Sequence, residues 1–266
     1  RQELPVSRYR EQILKTVRNS QVTLISAQTG AGKTTQVPQF LLEELGASCN
    51  IVCTQPRRLA AIGVSQRVAE ERCEPCGDVV GYTIRGESKT STRTRLLFCT
   101  TGVLLRRLQY SGADGFTHVL IDEVHERGVN TDFLMCVLRD LLKRQESTFK
   151  IVLMSATLDA ERFSKYFNSC PIINIPGRTF PVKEHYLEDV WRQVPDSCPG
   201  SSSRDDEDPV ESALKLYKPG IDYEAITKLT VYLTRTTSSG AVLIFMPGVG
   251  EISKLVTLIQ RRLNSG

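Results

Sequence analysis

The stretch of the chain best suited to chemistry is a ten-residue turn, Ser26–Thr35, with the sequence SAQTGAGKTT. An apolar run at 22–25 precedes it and predicts a buried strand, and residues 36–45 after it predict a helix. A turn of small residues between a strand and a helix directs backbone N–H groups towards an anion. Lys33 adds a positive charge for the β- and γ-phosphates of a nucleotide, and the Thr34 hydroxyl suits Mg²⁺.

The turn is therefore predicted to be a phosphate-binding loop of the Walker A kind. It departs from the strict G-x-x-x-x-G-K-[ST] pattern at the first position, where Ala27 stands in place of glycine. The alternative is a glycine-rich turn with an incidental lysine. The predicted nucleotide-binding residues of the loop are Gln28, Thr29, Gly30, Ala31, Gly32, Lys33, Thr34 and Thr35.

A second candidate site, this one acidic, follows another apolar run at residues 118–121. The run predicts a strand, and Asp122 and Glu123 come directly after it. A nucleotide hydrolase needs a carboxylate for Mg²⁺ and a group that activates water. We expect Asp122 to bind the metal and Glu123 to orient or deprotonate the attacking water. The predicted Mg²⁺ site consists of Thr34, Asp122 and Glu123. The alternative for an acidic pair after a strand is a helix N-cap with an acidic first turn.

Composition sets broad limits on the kind of protein. The chain has 266 residues and a formal net charge of +4, which fits a large globular α/β domain or one domain and part of another. Residues 57–107 hold ten basic and five acidic side chains, which predicts either phosphate partners or an ordinary solvated surface. The sequence has no run typical of a membrane span or signal peptide, and its eight cysteines predict reduced thiols inside a cell.

The order of elements predicts the fold. Apolar strands alternate with helices up to about residue 186, which favours a mainly parallel sheet with helices on both faces. Ligands of such sheets bind at the carboxyl ends of the strands, where the polar motifs stand. We predict one domain over 1–186, an acidic and serine-rich linker over 187–225, and an incomplete second domain over 226–266. A strand is predicted at 240–248, and helices at 221–233 and 251–263.

Six segments in order along the chain resemble motifs of the DEAH/DExH-box RNA helicases of superfamily 2. DEVHER at 122–127 is similar to motif II of that family, with Val124 in place of the alanine of the strict DEAH spelling. The other five segments are AQTGAGKT at 27–34 (motif I), TQPRR at 54–58 (motif Ia), TTG at 100–102 (motif Ib), SAT at 155–157 (motif III) and PGRTFPV at 176–182. LIFMPG at 243–248 is similar to the opening strand of the family's second domain. The resemblance implies a RecA-like P-loop NTPase domain and the start of a second RecA-like domain.

The resemblance also implies roles for single residues. His125 couples the nucleotide site to the second domain, Ser155 and Thr157 link nucleotide state to domain movement, and Arg67 stacks on the base. The residues implied to contact the backbone of single-stranded RNA are Arg57, Arg58, Thr101 and Gly102. Glu126 and Arg127 could equally form a surface ion pair.

The implied function is that of an ATP-dependent RNA helicase with ATP and Mg²⁺ as cofactors, no membrane partner, and a place in the nucleus or cytoplasm. The sequence contains no Gln-Arg-x-Gly-Arg-x-Gly-Arg-like run, so we expect a fragment that binds ATP and hydrolyses it weakly without the second domain's arginine fingers. The alternatives are a DNA translocase of superfamily 2 and a nucleic-acid-binding module that has kept the fold without catalysis.

Overall fold

The computed structural model describes residues 3–113, 115–144, 149–156, 160–177, 180–194 and 220–264. The chain divides into two compact units, Arg1–Phe180 and Pro181–Gly266. The predicted coupling residue Thr157 and most of the predicted linker lie outside the described residues. None of the helices described is long and apolar enough to cross a membrane.

The first unit is built on one eight-stranded sheet. Its strands are β1 Val22–Ala27, β2 Ile51–Gln55, β3 Val80–Ile84, β4 Glu87–Lys89, β5 Leu96–Thr100, β6 His118–Ile121, β7 Lys150–Ser155 and β8 Ile172–Ile175. Their order across the sheet is β4-β3-β5-β2-β6-β7-β1-β8. All neighbours are parallel except β3 and β4, which form an antiparallel hairpin at one edge. The mainly parallel sheet is confirmed.

Helices cover both faces of this sheet. The helices of the first unit are α1 Arg10–Asn19, α2 Lys33–Leu45, α3 Arg58–Glu71, α4 Thr101–Ser111, α5 Val129–Lys143 and α6 Ala160–Tyr166. Short 3-10 turns lie at Pro5–Tyr9, Gly46–Ser48 and Val124–Glu126. Successive residues of a strand point to opposite faces, so Ile25 joins the buried cluster of α1–α3 and Leu24 joins that of α4–α6. The central strands have apolar residues on both faces because both faces are covered.

The register of the parallel strands sets the position of the site. Ser26 of β1 pairs with Ser155 of β7, and Thr54 of β2 pairs with Ile121 of β6. The carboxyl ends of β1, β2, β6 and β7 therefore meet at one edge. The segments that follow these four ends carry the phosphate loop, motif Ia, the acidic pair and motif III.

The second unit contains α7 Leu187–Gln193, α8 Tyr223–Thr236 and α9 Val249–Asn264. Helices α8 and α9 confirm the two predicted near the end of the chain. Helix α7 lies within the predicted linker, and the Tyr186 backbone N–H donates to Asp189 Oδ2 at 3.0 Å at its start. The strand predicted at 240–248 is wrong. None of the residues described in this unit forms a strand, residues 240–246 included, and Phe245 is exposed.

Candidate nucleotide site and nucleic-acid groove

The phosphate loop joins the end of β1 to the start of α2, and two of its glycines have positive φ. Gly30 has φ +82° and Gly32 has φ +90°, a region that side chains disfavour. A Cβ on Gly32 would also lie 2.9 Å from Leu4 Cδ1. The loop is held from outside by the Val6 N–H, which donates to the Ala31 carbonyl at 3.1 Å. Glycine is thus favoured by backbone conformation at Gly30, and by both conformation and packing at Gly32.

The loop and the acidic pair lie in direct contact, although 88 to 90 residues separate them in sequence. Lys33 Nζ lies 3.2 Å from Glu123 Oε1, and the lysine is only 3% exposed. The Thr34 hydroxyl donates to Asp122 Oδ2 at 2.6 Å. Four side chains with the chemistry of a nucleotide–metal site therefore converge at the edge between β1 and β6.

Asp122 is the most buried member of this group, at 2% exposed. Gln55 Nε2 at the end of β2 donates to its Oδ2 at 2.9 Å, and the Glu123 N–H donates to its Oδ1 at 2.9 Å. Burial, and then the neighbouring charge of Glu123, raise the pKa of Asp122, against the hydrogen bonds from Thr34 and Gln55 and the charge of Lys33. The Asp122 carboxylate and the Thr34 hydroxyl offer two neighbouring oxygen ligands, the kind that Mg²⁺ prefers, so these residues fit Mg²⁺.

Glu123 has a strained backbone and is held from two sides. Its φ and ψ are 54° and 39°, the left-handed region, which is uncommon for a residue with a side chain. Its Oε2 lies 3.3 Å from His125 Nε2. The Ala156 N–H, directly after β7, donates to His125 Nδ1 at 3.1 Å. Since Nδ1 accepts, Nε2 carries the ring proton and donates to Glu123.

Three other residues predicted for this site have local partners of their own. Ser155 is fully buried at the end of β7, and its hydroxyl donates to the Ala156 carbonyl at 2.7 Å. Thr35 donates to the Gly32 carbonyl at 3.4 Å, within the turn. Arg67 is on α3, where its Nε donates to Glu71 at 2.8 Å and its side chain is 63% exposed. Its predicted contact with a base stays a prediction.

A groove of about 460 Å³ lies at the same edge of the sheet and contains three of the four predicted nucleic-acid-binding residues, Arg58, Thr101 and Gly102. Helices α3, α4 and α5 begin at this groove, and none of these three described helix starts has a side-chain cap. Uncapped helix starts present free N–H groups and a partial positive charge. The groove is therefore suited to phosphates.

The fourth predicted residue, Arg57, does not line this groove. It is 75% exposed and its Nη2 donates to Glu126 Oε1 at 3.0 Å. The suggested ion pair between Glu126 and Arg127 is wrong, because Arg127 instead donates to both oxygens of Asp132 at 2.7 to 3.1 Å. Arg127 has a left-handed backbone, with φ 51°, and its side chain contacts α5 through Asp132.

Sequence reasoning missed several residues that the fold adds. Gln55 contacts Asp122, and Arg85, Arg106 and Asn130 line the groove. Arg85 and Arg106 belong to the basic span at 57–107, but their charge alone did not place them at a site. Gln55 gave a usable signal, since it is a polar residue at the end of a buried strand. Asp122 and Gln28 directly follow two other buried strands.

A mainly parallel sheet with a phosphate loop after β1 and an acidic pair after β6 defines a P-loop nucleotide-binding domain of the RecA-like kind. Residues 7–165 match the DEAD/DEAH box helicase family, which is more than half of the chain. The chain belongs to the DEAD/DEAH box helicase family.

Curated proteins give the same assignment. The chain is 43% identical to the DExH-box ATP-dependent RNA helicase DExH1 of Arabidopsis thaliana, over 97% of this chain and 30% of that protein. It is 55% identical to the putative ATP-dependent RNA helicase DHX57 of Homo sapiens, over 71% of this chain and 14% of that protein. It is 39% identical to the ATP-dependent RNA helicase DHX29 of Mus musculus, over 97% and 23%. The chain thus spans less than a third of each of these relatives.

Proposed function

We propose that the chain is the nucleotide-binding part of an ATP-dependent RNA helicase, and that it binds ATP with Mg²⁺ between the phosphate loop and the acidic pair. The observation that carries the proposal is the contact of Lys33 and Thr34 with Glu123 and Asp122 at 3.2 and 2.6 Å. The names of the relatives support ATP and RNA as the substrates. We also propose a place inside the cell, in the nucleus or cytoplasm.

Each residue of the site has a task in this proposal. Lys33 exchanges Glu123 for the β- and γ-phosphates, and loop N–H groups bind the same oxygens. The Thr34 hydroxyl and Asp122 hold Mg²⁺, which when bound neutralises charge on the phosphate oxygens. Glu123, freed from the lysine, orients a water molecule for attack on the γ-phosphorus and accepts its proton. His125 holds the other oxygen of Glu123 in place.

The groove at the starts of α3, α4 and α5 is proposed to bind the backbone of single-stranded RNA. Arg58, Arg85 and Arg106 supply positive charge, and Thr101 and Gly102 supply N–H groups near the start of α4. Backbone contacts carry little information about sequence, so we expect binding without strong sequence preference. Arg57 is proposed to join the RNA contacts once it leaves Glu126.

Coupling between ATP and RNA is proposed to run through motif III to a second RecA-like domain. Ser155 and Thr157 would transmit nucleotide state, and Arg67 would share the base with that second domain. The domain limits proposed are 1–186 for the first domain, 187–225 for the linker and 226–266 for the beginning of the second. The chain divides into its two compact units between residues 180 and 181, which supports a boundary in this region.

The RNA part of the proposal is tested with two neighbouring arginines of α4. Arg106 lines the groove, whereas the Arg107 guanidinium lies 4.3 Å from the centre of the Phe116 ring. We expect Arg106→Ala to weaken binding of a single-stranded RNA oligonucleotide and to reduce the salt slope by about 0.7, because one phosphate contact is lost. Arg107→Ala is the matched control and should change neither.

Equal effects of the two variants, or no effect of Arg106→Ala, would place the RNA elsewhere. The same assay with matched RNA and DNA strands decides between an RNA helicase and a DNA translocase, since preference for DNA would contradict our proposal. Lys33→Ala should abolish ATP binding and leave RNA binding intact. ATP binding that survives Lys33→Ala would contradict the proposed nucleotide site.

A further inference from the structure

The buried carboxylate of Glu71 connects α2, the helix that follows the phosphate loop, with Arg67, the arginine that we expect to contact the nucleotide base. Glu71 lies in the last turn of α3, and its side chain is 8% exposed. Its Oε1 accepts from Arg67 Nε at 2.8 Å. Its Oε2 accepts from Gln36 Nε2 at 2.8 Å and from Gln39 Nε2 at 2.9 Å. One carboxylate thus binds three donors from two helices.

The two glutamines extend this network to the phosphate loop. Gln36 Nε2 also donates to the Thr35 hydroxyl at 3.0 Å, and Gln39 Nε2 donates to the Thr35 carbonyl at 2.9 Å. The Thr35 hydroxyl in turn donates to the Gly32 carbonyl at 3.4 Å. Both glutamine side chains are fully buried. A continuous chain of hydrogen bonds therefore runs from the loop backbone to Glu71.

This geometry differs from an ordinary ion pair on a helix surface. Pairs of charged residues four apart contribute only a few tenths of a kcal/mol when both side chains can move. Here the carboxylate is buried and fixed by two amides, so the Arg67 Nε has a fixed acceptor. Burial acts to raise the pKa of Glu71, but the hydrogen bonds from Gln36, Gln39 and Arg67 together lower it below its ordinary value, so the group is ionised at neutral pH.

We propose that Glu71 is a positioning residue for recognition of the nucleotide base. It fixes the Arg67 guanidinium relative to the phosphate loop, so that one rigid unit of α2 and α3 binds the triphosphate at one end and the base at the other. A planar guanidinium stacks on an aromatic ring, and its orientation decides how well it does so. This inference rests on the proposed function, in which Arg67 contacts the base.

The test compares a ligand that has a base with one that has none. Binding of ATP and of inorganic tripolyphosphate, both with Mg²⁺, is measured by calorimetry on the 266-residue chain. We expect Glu71→Gln to weaken ATP binding by about fivefold, because the correct orientation of a stacked arginine contributes roughly 1 kcal/mol. Binding of tripolyphosphate should stay within about twofold of the wild type, since the loop itself is unchanged.

Four further variants sharpen the comparison. Glu71→Asp keeps the charge but withdraws the carboxylate, and should act as Glu71→Gln does. The double variant Glu71→Gln/Arg67→Ala should bind ATP no more weakly than Arg67→Ala alone, because both substitutions remove the same interaction, that of Arg67 with the base. Glu74→Gln is the matched control, since Glu74 accepts from Arg72 Nε at 3.2 Å at the same helix end. It should leave both ligands unaffected.

Equal loss of ATP and tripolyphosphate affinity in the Glu71 variants would overturn the proposal, because Glu71 would then only support α2. Additive losses in the double variant would also overturn it. Both results leave the proposed function standing. A wild-type chain that binds neither ligand would instead refute the proposed function itself.

Discussion

Replacement of Glu123 by glutamine should separate ATP binding from ATP hydrolysis. The buried Lys33 amine lies 3.2 Å from the Glu123 carboxylate, and in our proposal the phosphates must take the lysine from it. A hydrogen bond between two charged groups contributes about 1.5 kcal/mol, which ATP binding has to offset. Glu123→Gln removes most of that cost and removes repulsion of the phosphates. We therefore expect binding up to about tenfold tighter, together with loss of hydrolysis.

The assay is calorimetry with a non-hydrolysable ATP analogue and Mg²⁺, and hydrolysis is followed separately as phosphate release. Glu126→Gln is the control, since Glu126 lies in the same motif but pairs with Arg57. Weaker binding by Glu123→Gln would contradict this reasoning and would make Glu123 a direct ligand of Mg²⁺. Unchanged binding would mean that the lysine pair contributes nothing in solution, and unchanged hydrolysis would require another group to activate water.

Two other predictions concern acid stability and the phosphate loop. Burial, and then the Lys150 charge, lower the pKa of His118 from 6.5 to about 4, so only the unfolded chain takes up this proton between those values. The free energy of unfolding should fall by up to about 3 kcal/mol as pH falls from 6.5 to 4. Thermal melts of His118→Gln should show a weaker dependence of stability on pH, and an unchanged dependence would contradict the prediction. A Cβ on Gly177 would collide with the side chain of Gln28, a predicted nucleotide-binding residue, so Gly177→Ala should weaken ATP binding. Gly63 has open space around it, and Gly63→Ala should leave ATP binding unchanged. Equal affinities of the two variants would contradict the prediction.

The central part of the fold could be predicted because its signals are local. The strand His118–Ile121 is an unbroken apolar run followed by two acids, and its predicted bounds are those of β6. The edge strand Glu87–Lys89 could not be predicted, since its three residues are polar and exposed and it exists only by pairing with β3. The strand predicted at 240–248 was wrong for a related reason. Its apolar residues satisfy the local pattern, but a strand also needs a partner for its backbone hydrogen bonds, and the described residues of the second unit provide none.

The same distinction holds for the site. Lys33 could be predicted because it lies in a glycine-rich turn between a strand and a helix. Asp122 could be predicted because it directly follows an apolar strand. The contact of Gln55 with Asp122 could not, because it depends on β2 and β6 being neighbours in the sheet. The groove depends on three helices beginning at one place, and sequence distance hides this.

The position of Glu123 depends on two parts of the protein at once. One carboxylate oxygen accepts from Lys33 of the phosphate loop, and the other accepts from His125, whose ring is fixed by the Ala156 N–H after β7. A nucleotide that draws the lysine away changes the first contact, and any shift of the segment after β7 changes the second. Both changes therefore act on the same carboxylate. In our proposal Glu123 acts on water after the phosphates have drawn Lys33 away and while His125 still holds its other oxygen, so hydrolysis would depend on the position of the segment after β7.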